Sequence, residues 1–386
     1  MINKPWSSGL LTCVVVTFPL TILLITAVTA CSTAVIRDNS SNSSLPKSSN
    51  LSMSMESSYQ PNPGPYTVGV ADNLTLITAS KRQMPIKIYY PEGSGRFPVI
   101  IFSHGAGASK DSAEGLGRFW ASHGYISIHP THADSLSLRT DNAGLREVLS
   151  NMLRDSQSWI ERVQDISLII DSLDNLAKQA PQLQGKMDRQ HIGVGGHSYG
   201  AYTAQLIGGV TIDIPGSAKN QSFADSRVKS VLLLSPQGRG QQGLTDSSWD
   251  QMNKPMMVMT GSNDQGAQGQ GPSWKREPFD LSPPGSKYLV FIENANHFSF
   301  TGRQPAEGQF GRGSLGGPRF GGGRFRSRLN SNPETGTNQE PIFDYVKIAS
   351  LAFWDAYLKN ENQAKNYLKS DTLARYSQGK VTLLSK

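Results

Sequence analysis

Two hydrophobic patterns take turns along this chain from residue 66 onward. Short apolar runs alternate with longer stretches whose apolar positions recur every three or four residues. Residues 67–70 and 74–77 predict a first hairpin. Residues 84–91 alternate apolar with polar and stop at a proline, as edge strands do. Residues 97–102, 125–130, 190–195, 228–234, 255–260 and 287–292 are almost continuously apolar, the pattern of strands covered on both faces, and 287–292 is the last strand expected. Helical spacing appears in 113–123 (Leu116, Phe119, Trp120), in 158–176 (Ile160, Val163, Ile166, Ile169, Ile170, Leu173), in 201–207 and in 342–358 (Val346, Leu351, Phe353, Trp354), with a short helix at 363–368. Residues 131–154 read as a loop running into irregular helix. Strands alternating with helices predict an α/β fold, a mostly parallel central sheet with helices on both faces.

Two polar segments lower the apolar fraction to 37% of 386 residues. Residues 32–65, rich in Ser, Asn and Pro, read as a disordered tether. Before them, residues 10–30 carry no charge, and Val28-Thr29-Ala30-Cys31 resembles a bacterial lipobox, with Cys31 as the lipidated first residue of the mature chain. An uncleaved membrane span and plain secretion are the other readings. All three put the folded part, residues 66–386, outside the cytoplasm, and the first predicts an envelope lipoprotein held to a membrane through 1–31. The two cysteines, Cys13 and Cys31, both lie in that segment, so the mature domain has no disulfide, no thiolate nucleophile and no cysteine metal site.

The net charge of +7 is local. Residues 301–330 hold six arginines and one acid, within a Gly/Arg-rich insertion at about 301–340. That distribution excludes a folded basic face for nucleic acid. It leaves an anionic polymer or lipid headgroup as a partner for 303–328, beside a passive surface insertion.

Gly196-His197-Ser198-Tyr199-Gly200 joins a predicted strand to a predicted helix, and it resembles the nucleophile elbow of the α/β-hydrolases. A serine hydroxyl needs a base, and the base needs an orienting carboxylate. In that fold the order is Ser, acid, His. Of seven histidines only His297 follows Ser198, just past the last predicted strand. Asp264 follows the penultimate one. Asp213, Asp225, Asp246, Asp250, Glu277 and Asp280 follow none at its carboxyl end, Glu293 is too near His297, and residues 235–238 after the preceding strand offer no carboxylate. An oxyanion hole is expected from the N–H groups of Tyr199 and, in the turn 104–107, of Ala106. His104 reads as part of that turn. His129 and His132 read as loop packing, with substrate contact as the alternative. No metal and no cofactor is implied.

Residues 97–105, 121–125 and 196–200 together resemble the dienelactone-hydrolase-like branch of the α/β-hydrolases, with its platelet-activating-factor acetylhydrolases, chlorophyllases and cutinases. The resemblance covers 66–300 and 342–370. It implies an α/β-hydrolase fold and a serine esterase acting on a small-molecule or polymeric carboxylic ester through an acyl-enzyme. Dienelactone hydrolases proper carry cysteine where this chain has Ser198. Acetylhydrolases of the branch place the acid where it has Ser235-Pro236, and Asp264 is closer to the cutinase arrangement. A surface binding protein on a hydrolase scaffold and a serine peptidase of the same fold are the alternatives.

Overall fold

A computed structural model describes residues 59–140, 144–302 and 340–386. Cys31, the segment 1–31, most of the expected tether and the arginine-bearing segment 303–328 lie outside the described residues. Nine strands form one sheet: β1 (Val68–Ile77), β2 (Gln83–Pro91), β3 (Phe97–Ser103), β4 (Ile126–Pro130), β5 (Met187–His197), β6 (Val228–Leu234), β7 (Met256–Asn263), β8 (Lys287–Asn296) and β9 (Val381–Ser385). The spatial order is β1-β2-β4-β3-β5-β6-β7-β8-β9. Neighbours from β4 through β8 run parallel, while β1, β2 and β9 make antiparallel edges. This is an α/β-hydrolase fold.

The apolar runs bury both faces by strict alternation. Val99, Ile101, Val231, Leu233, Met256 and Val258 face one core, packed with the helices Ser156–Asp171 and Tyr199–Gly208. Ile100, Phe102, Leu232, Leu234, Met257 and Met259 face the other, under Trp120 and the helix Glu340–Leu358 with Phe353 and Trp354. Each fully buried side chain of this size contributes about 1.5–3 kcal/mol. The helix Ser156–Asp171 starts where Asp155 accepts the N–H of Gln157 at 3.0 Å, a cap worth about 1 kcal/mol.

Four details differ from the sequence pattern. The expected first hairpin is one strand, β1, because the polar Asp72-Asn73 pair is absorbed by a bulge between Ala71 and Leu74. The expected helix 158–176 is two, Ser156–Asp171 and Leu173–Gln179, parted at Ser172. A last strand, β9, pairs with β8, so 287–292 does not close the sheet. Tyr59, inside the expected tether, is buried against Tyr367 with ring centroids 4.7 Å apart.

The direction of winding reverses between β3 and β5, which leaves a crevice at their carboxyl ends. The register there is informative. Ser103 pairs with Gly196, His197 with Leu234, and Asn263 with Asn296. The residues next in sequence are His104, Ser198, Ser235, Asp264 and His297. Five chemistry-bearing side chains therefore leave one end of the sheet in a row.

Candidate active site

Ser198 has φ 55° and ψ −117°, a conformation costing on the order of 1–3 kcal/mol for a residue with a side chain. The flanking glycines make it attainable. A Cβ on Gly196 would lie 2.2 Å from the Gly200 carbonyl oxygen, and one on Gly200 would lie 1.9 Å from that of Ser103. Neither position has room for one. The strain holds a half-buried hydroxyl at the start of the helix Tyr199–Gly208, above the end of β5.

His297 and Asp264 come together. His297 Nδ1 lies 3.3 Å from Asp264 Oδ1 and 2.7 Å from Ser235 Oγ. Ser235 Oγ donates to Asp264 Oδ1 at 2.8 Å, and Thr260 Oγ1 donates to Oδ2 at 2.9 Å. A serine that donates to the carboxylate must accept from the ring, so Nδ1 carries the proton and Nε2 is a free base. Asp264 is fully buried, while the His297 side chain keeps 24% of its exposure. The His297 loop is tied to the elbow by a 2.7 Å hydrogen bond between its carbonyl oxygen and Nε2 of His197, the residue before Ser198. Among the described residues the Ser198 hydroxyl has no hydrogen-bond partner, His297 included. Nucleophile–base contacts are often long before substrate binds.

The electrostatics follow from burial and one buried cation. Burial pushes the Asp264 carboxyl up. The His297 hydrogen bond, the Lys275 charge and the Ser235 hydroxyl outweigh it and hold the group below its ordinary value. Lys275 is 1% exposed, and Nζ donates to the Ser235 carbonyl oxygen at 3.2 Å. Burial lowers its own pKa to about 8. His297 is pushed below the usual histidine range by burial and by Lys275, against the Asp264 hydrogen bond. His197 is lowered to about 3, chiefly by burial.

The turn after β3 closes the other side. A Cβ on Gly105 would lie 3.6 Å from the Ser198 Cβ. The Ala106 and Tyr199 N–H groups have no acceptor among the described residues, as an oxyanion hole requires. His104, His129 and His132 are all at most 1% exposed. None of these three faces substrate, so the substrate-contact alternative for His129 and His132 falls. Among the described residues no group of His, Cys, Asp or Glu is disposed to hold a metal ion.

The sequence reading missed Ser235, Thr260 and Lys275, and also Arg162 and Asp165. Ser235 had a signal, its place right after a buried strand. Arg162 and Asp165 had one too, since both sit on the apolar stripe of their helix beside Trp159, Val163 and Ile166. Thr260 lies inside β7 with nothing to mark it. Lys275 ends a four-residue helix, Pro272–Lys275, and no pattern marks it.

The similarity of the chain to known proteins agrees with the α/β-hydrolase fold. Residues 62–208 match the chlorophyllase family. That match spans the turn and the elbow and stops short of Asp264 and His297. The chain is 23% identical over 321 residues to a platelet-activating factor acetylhydrolase of Cavia porcellus, covering 75% of this chain and 65% of that protein. It is 30% identical over 137 residues to the enzyme of that name from Bos taurus, covering 28% of this chain and 31% of that protein. The chain thus spans less than two thirds of either relative's length.

Proposed function

We propose that the protein is a serine esterase, with Ser198 as nucleophile, His297 as base and Asp264 as its orienting acid. Ser198 Oγ attacks the ester carbonyl carbon while His297 Nε2 takes its proton. The carbonyl oxygen becomes an oxyanion between the Ala106 and Tyr199 N–H groups. As the tetrahedral intermediate collapses, His297 returns the proton to the departing alkoxide, which leaves as the alcohol. Water, deprotonated by the same Nε2, then releases the carboxylic acid and restores Ser198. Asp264 stays ionised throughout and stabilises the imidazolium.

The observation that carries this reading is the row at one end of the sheet. A strained serine after β5, a buried carboxylate after β7 and, after β8, a histidine with its Nε2 free and its other ring nitrogen on that carboxylate leave the same end of the sheet in that order. The similarity to the two acetylhydrolases supports an ester substrate with a short acyl group. Cys31 at the end of its apolar run supports export as a membrane-held envelope lipoprotein, with the arginines of 303–328 available to an anionic polymer.

The test is Ser198→Ala with p-nitrophenyl acetate and longer p-nitrophenyl esters. Turnover is expected to fall by about 10⁴-fold or more, and labelling by a fluorophosphonate probe should vanish. Turnover above a tenth of wild type in clean protein would overturn the mechanism.

A further inference from the structure

The protein contains a second serine–histidine–aspartate chain, and it is buried. Ser103 Oγ lies 2.9 Å from His132 Nε2, and His132 Nδ1 lies 2.9 Å from Asp165 Oδ2. Asp165 also accepts two bonds of 2.8 Å from one guanidinium nitrogen of Arg82. The relative exposures of Ser103, His132 and Asp165 are 0%, 0% and 4%, so no substrate reaches this serine.

The contacts select one proton arrangement. The Asp165 carboxylate, paired with Arg82, accepts from His132 Nδ1–H, which leaves Nε2 to accept from the Ser103 hydroxyl. Ser103 Oγ then accepts from Arg162 Nη1 at 3.3 Å. Arg162 Nη1 also donates to the His104 carbonyl oxygen at 2.8 Å. Arg162 Nε and Nη2 grip Asp134 at 2.9 Å each, and Asp134 Oδ2 accepts the Gly107 N–H at 3.0 Å. His104 Nε2 accepts the His132 N–H at 2.9 Å, and its Nδ1–H donates to the Gly105 carbonyl oxygen at 2.7 Å. These partners hold the turn from His104 to Gly107 on both sides of Ala106. The guanidinium also lies 4.1 Å from the centre of the Tyr199 ring, and Tyr199 carries the second free N–H.

We propose that Arg162 is the positioning residue of the oxyanion hole, spacing the Ala106 turn from Tyr199, and that Ser103, His132, Asp165 and Asp134 lock its guanidinium in place. The charges support a fixed device. Arg162 and Arg82 are matched by Asp134 and Asp165. Burial, followed by the Arg162 charge, holds His104 and His132 below the usual histidine range, so both are neutral at neutral pH. A planar fork is needed, because Arg162 meets a carboxylate, a carbonyl, a hydroxyl and an aromatic face at once, and an ammonium has no such geometry.

This inference rests on Ser198 being the nucleophile, and the experiment separates the two. Arg162→Lys is compared with wild type in the full-length protein, with kcat normalised to sites titrated by a fluorophosphonate. The expected result is a fall of about 10²-fold in kcat, KM within about threefold, and an affinity for phenylboronic acid, a tetrahedral mimic at Ser198, that falls in step with kcat/KM. Ser103→Ala, nearly neutral in volume, is expected to lose about tenfold in kcat with the same pattern, and it decides alone where Arg162→Lys does not fold. Titrated sites with kcat and boronate affinity within twofold of wild type would overturn the proposal. So would a loss confined to KM. An active Ser198→Ala overturns the site itself, whereas an inactive Ser198→Ala beside a fully active Arg162→Lys overturns only this inference.

Discussion

Ser198–His297–Asp264, the proposed triad, and Ser103–His132–Asp165 use the same three residue types at the same end of the sheet, yet only the first has a serine and a histidine open to solvent. The difference lies in the backbone and the surroundings. Ser103 is the last residue of β3, in extended geometry and covered on all sides. Ser198 stands one residue beyond its strand, at positive φ, with its hydroxyl half-exposed. Asp165 is neutralised by Arg82, so its histidine sits in a closed, charge-balanced chain. Asp264 has only two hydroxyls, the histidine and the nearby Lys275 charge, and its negative charge remains available to an imidazolium. Identical residues make a closed chain when the serine is held inside a strand, and under the proposed mechanism a reactive one when the turn throws it out.

Exchanging the two carboxylates for amides should separate these roles most sharply. Asp264→Asn is expected to lower kcat by about 10³–10⁴-fold, since an amide keeps the shape but cannot stabilise the imidazolium. Thermal stability should change by no more than about 1 kcal/mol, because the amide can still pair with the Ser235 and Thr260 hydroxyls. Asp165→Asn should do the reverse. It leaves Arg82 short of a counter-charge and costs about 1.5–3 kcal/mol of stability, while kcat per titrated site falls only about tenfold through the loosened Arg162. Measuring denaturation midpoints and kcat for both variants checks this. Equal profiles would erase the distinction. Asp246→Asn is a control, since the Asp246 side chain keeps 79% of its exposure.

The sequence made the proposed triad legible and left the buried set hidden. Ser198, Asp264 and His297 each stand immediately after a strand whose apolar run is unmistakable, and that adjacency is what the pattern reports. The same runs predict each strand from β2 to β8, but not their order across the sheet. β9 was invisible because an exposed five-residue edge strand carries little pattern, and the bulge in β1 imitated a turn. Ser103 and His132 belong to a strand end and a loop, and Asp165 to a helix. Nothing in spacing brings those three together. Arg162 and Asp165 did leave a trace, as charges on an apolar stripe, and such charges in a helix against a parallel sheet reward a search for their partners.

The two sets also differ in how they should respond to pH, and Lys275 is the handle. A cation disfavours protonation of a neighbouring histidine, and Lys275 is one of the causes holding His297 low. Removing that charge raises the His297 pKa. More of the base is then protonated at a given pH, so the acid limb of kcat/KM should move to higher pH in Lys275→Met. The pH profile on p-nitrophenyl acetate checks the direction. A limb that stays in place, or moves to lower pH, would show that Lys275 does not act on the base.

The smallest expected effect concerns Ser235, which has no equivalent in the buried chain. There the histidine Nδ1 meets its carboxylate at 2.9 Å with nothing between, whereas His297 meets Asp264 at 3.3 Å with Ser235 Oγ bridging both. The bridge shares the Nδ1 proton between a hydroxyl and a carboxylate, and so holds the ring by two contacts. Ser235→Ala removes one contact and opens a space the size of a hydroxyl. His297 retains the direct approach to Asp264, so the tautomer survives and Nε2 remains the base. What is lost is one hydrogen bond on the carboxylate and part of the ring's orientation, roughly 1 kcal/mol or about a fivefold fall in kcat, with KM unchanged. A Ser235→Ala enzyme as impaired as Asp264→Asn would mean that the carboxylate works only through the serine, and that His297 and Asp264 do not form a direct pair during turnover.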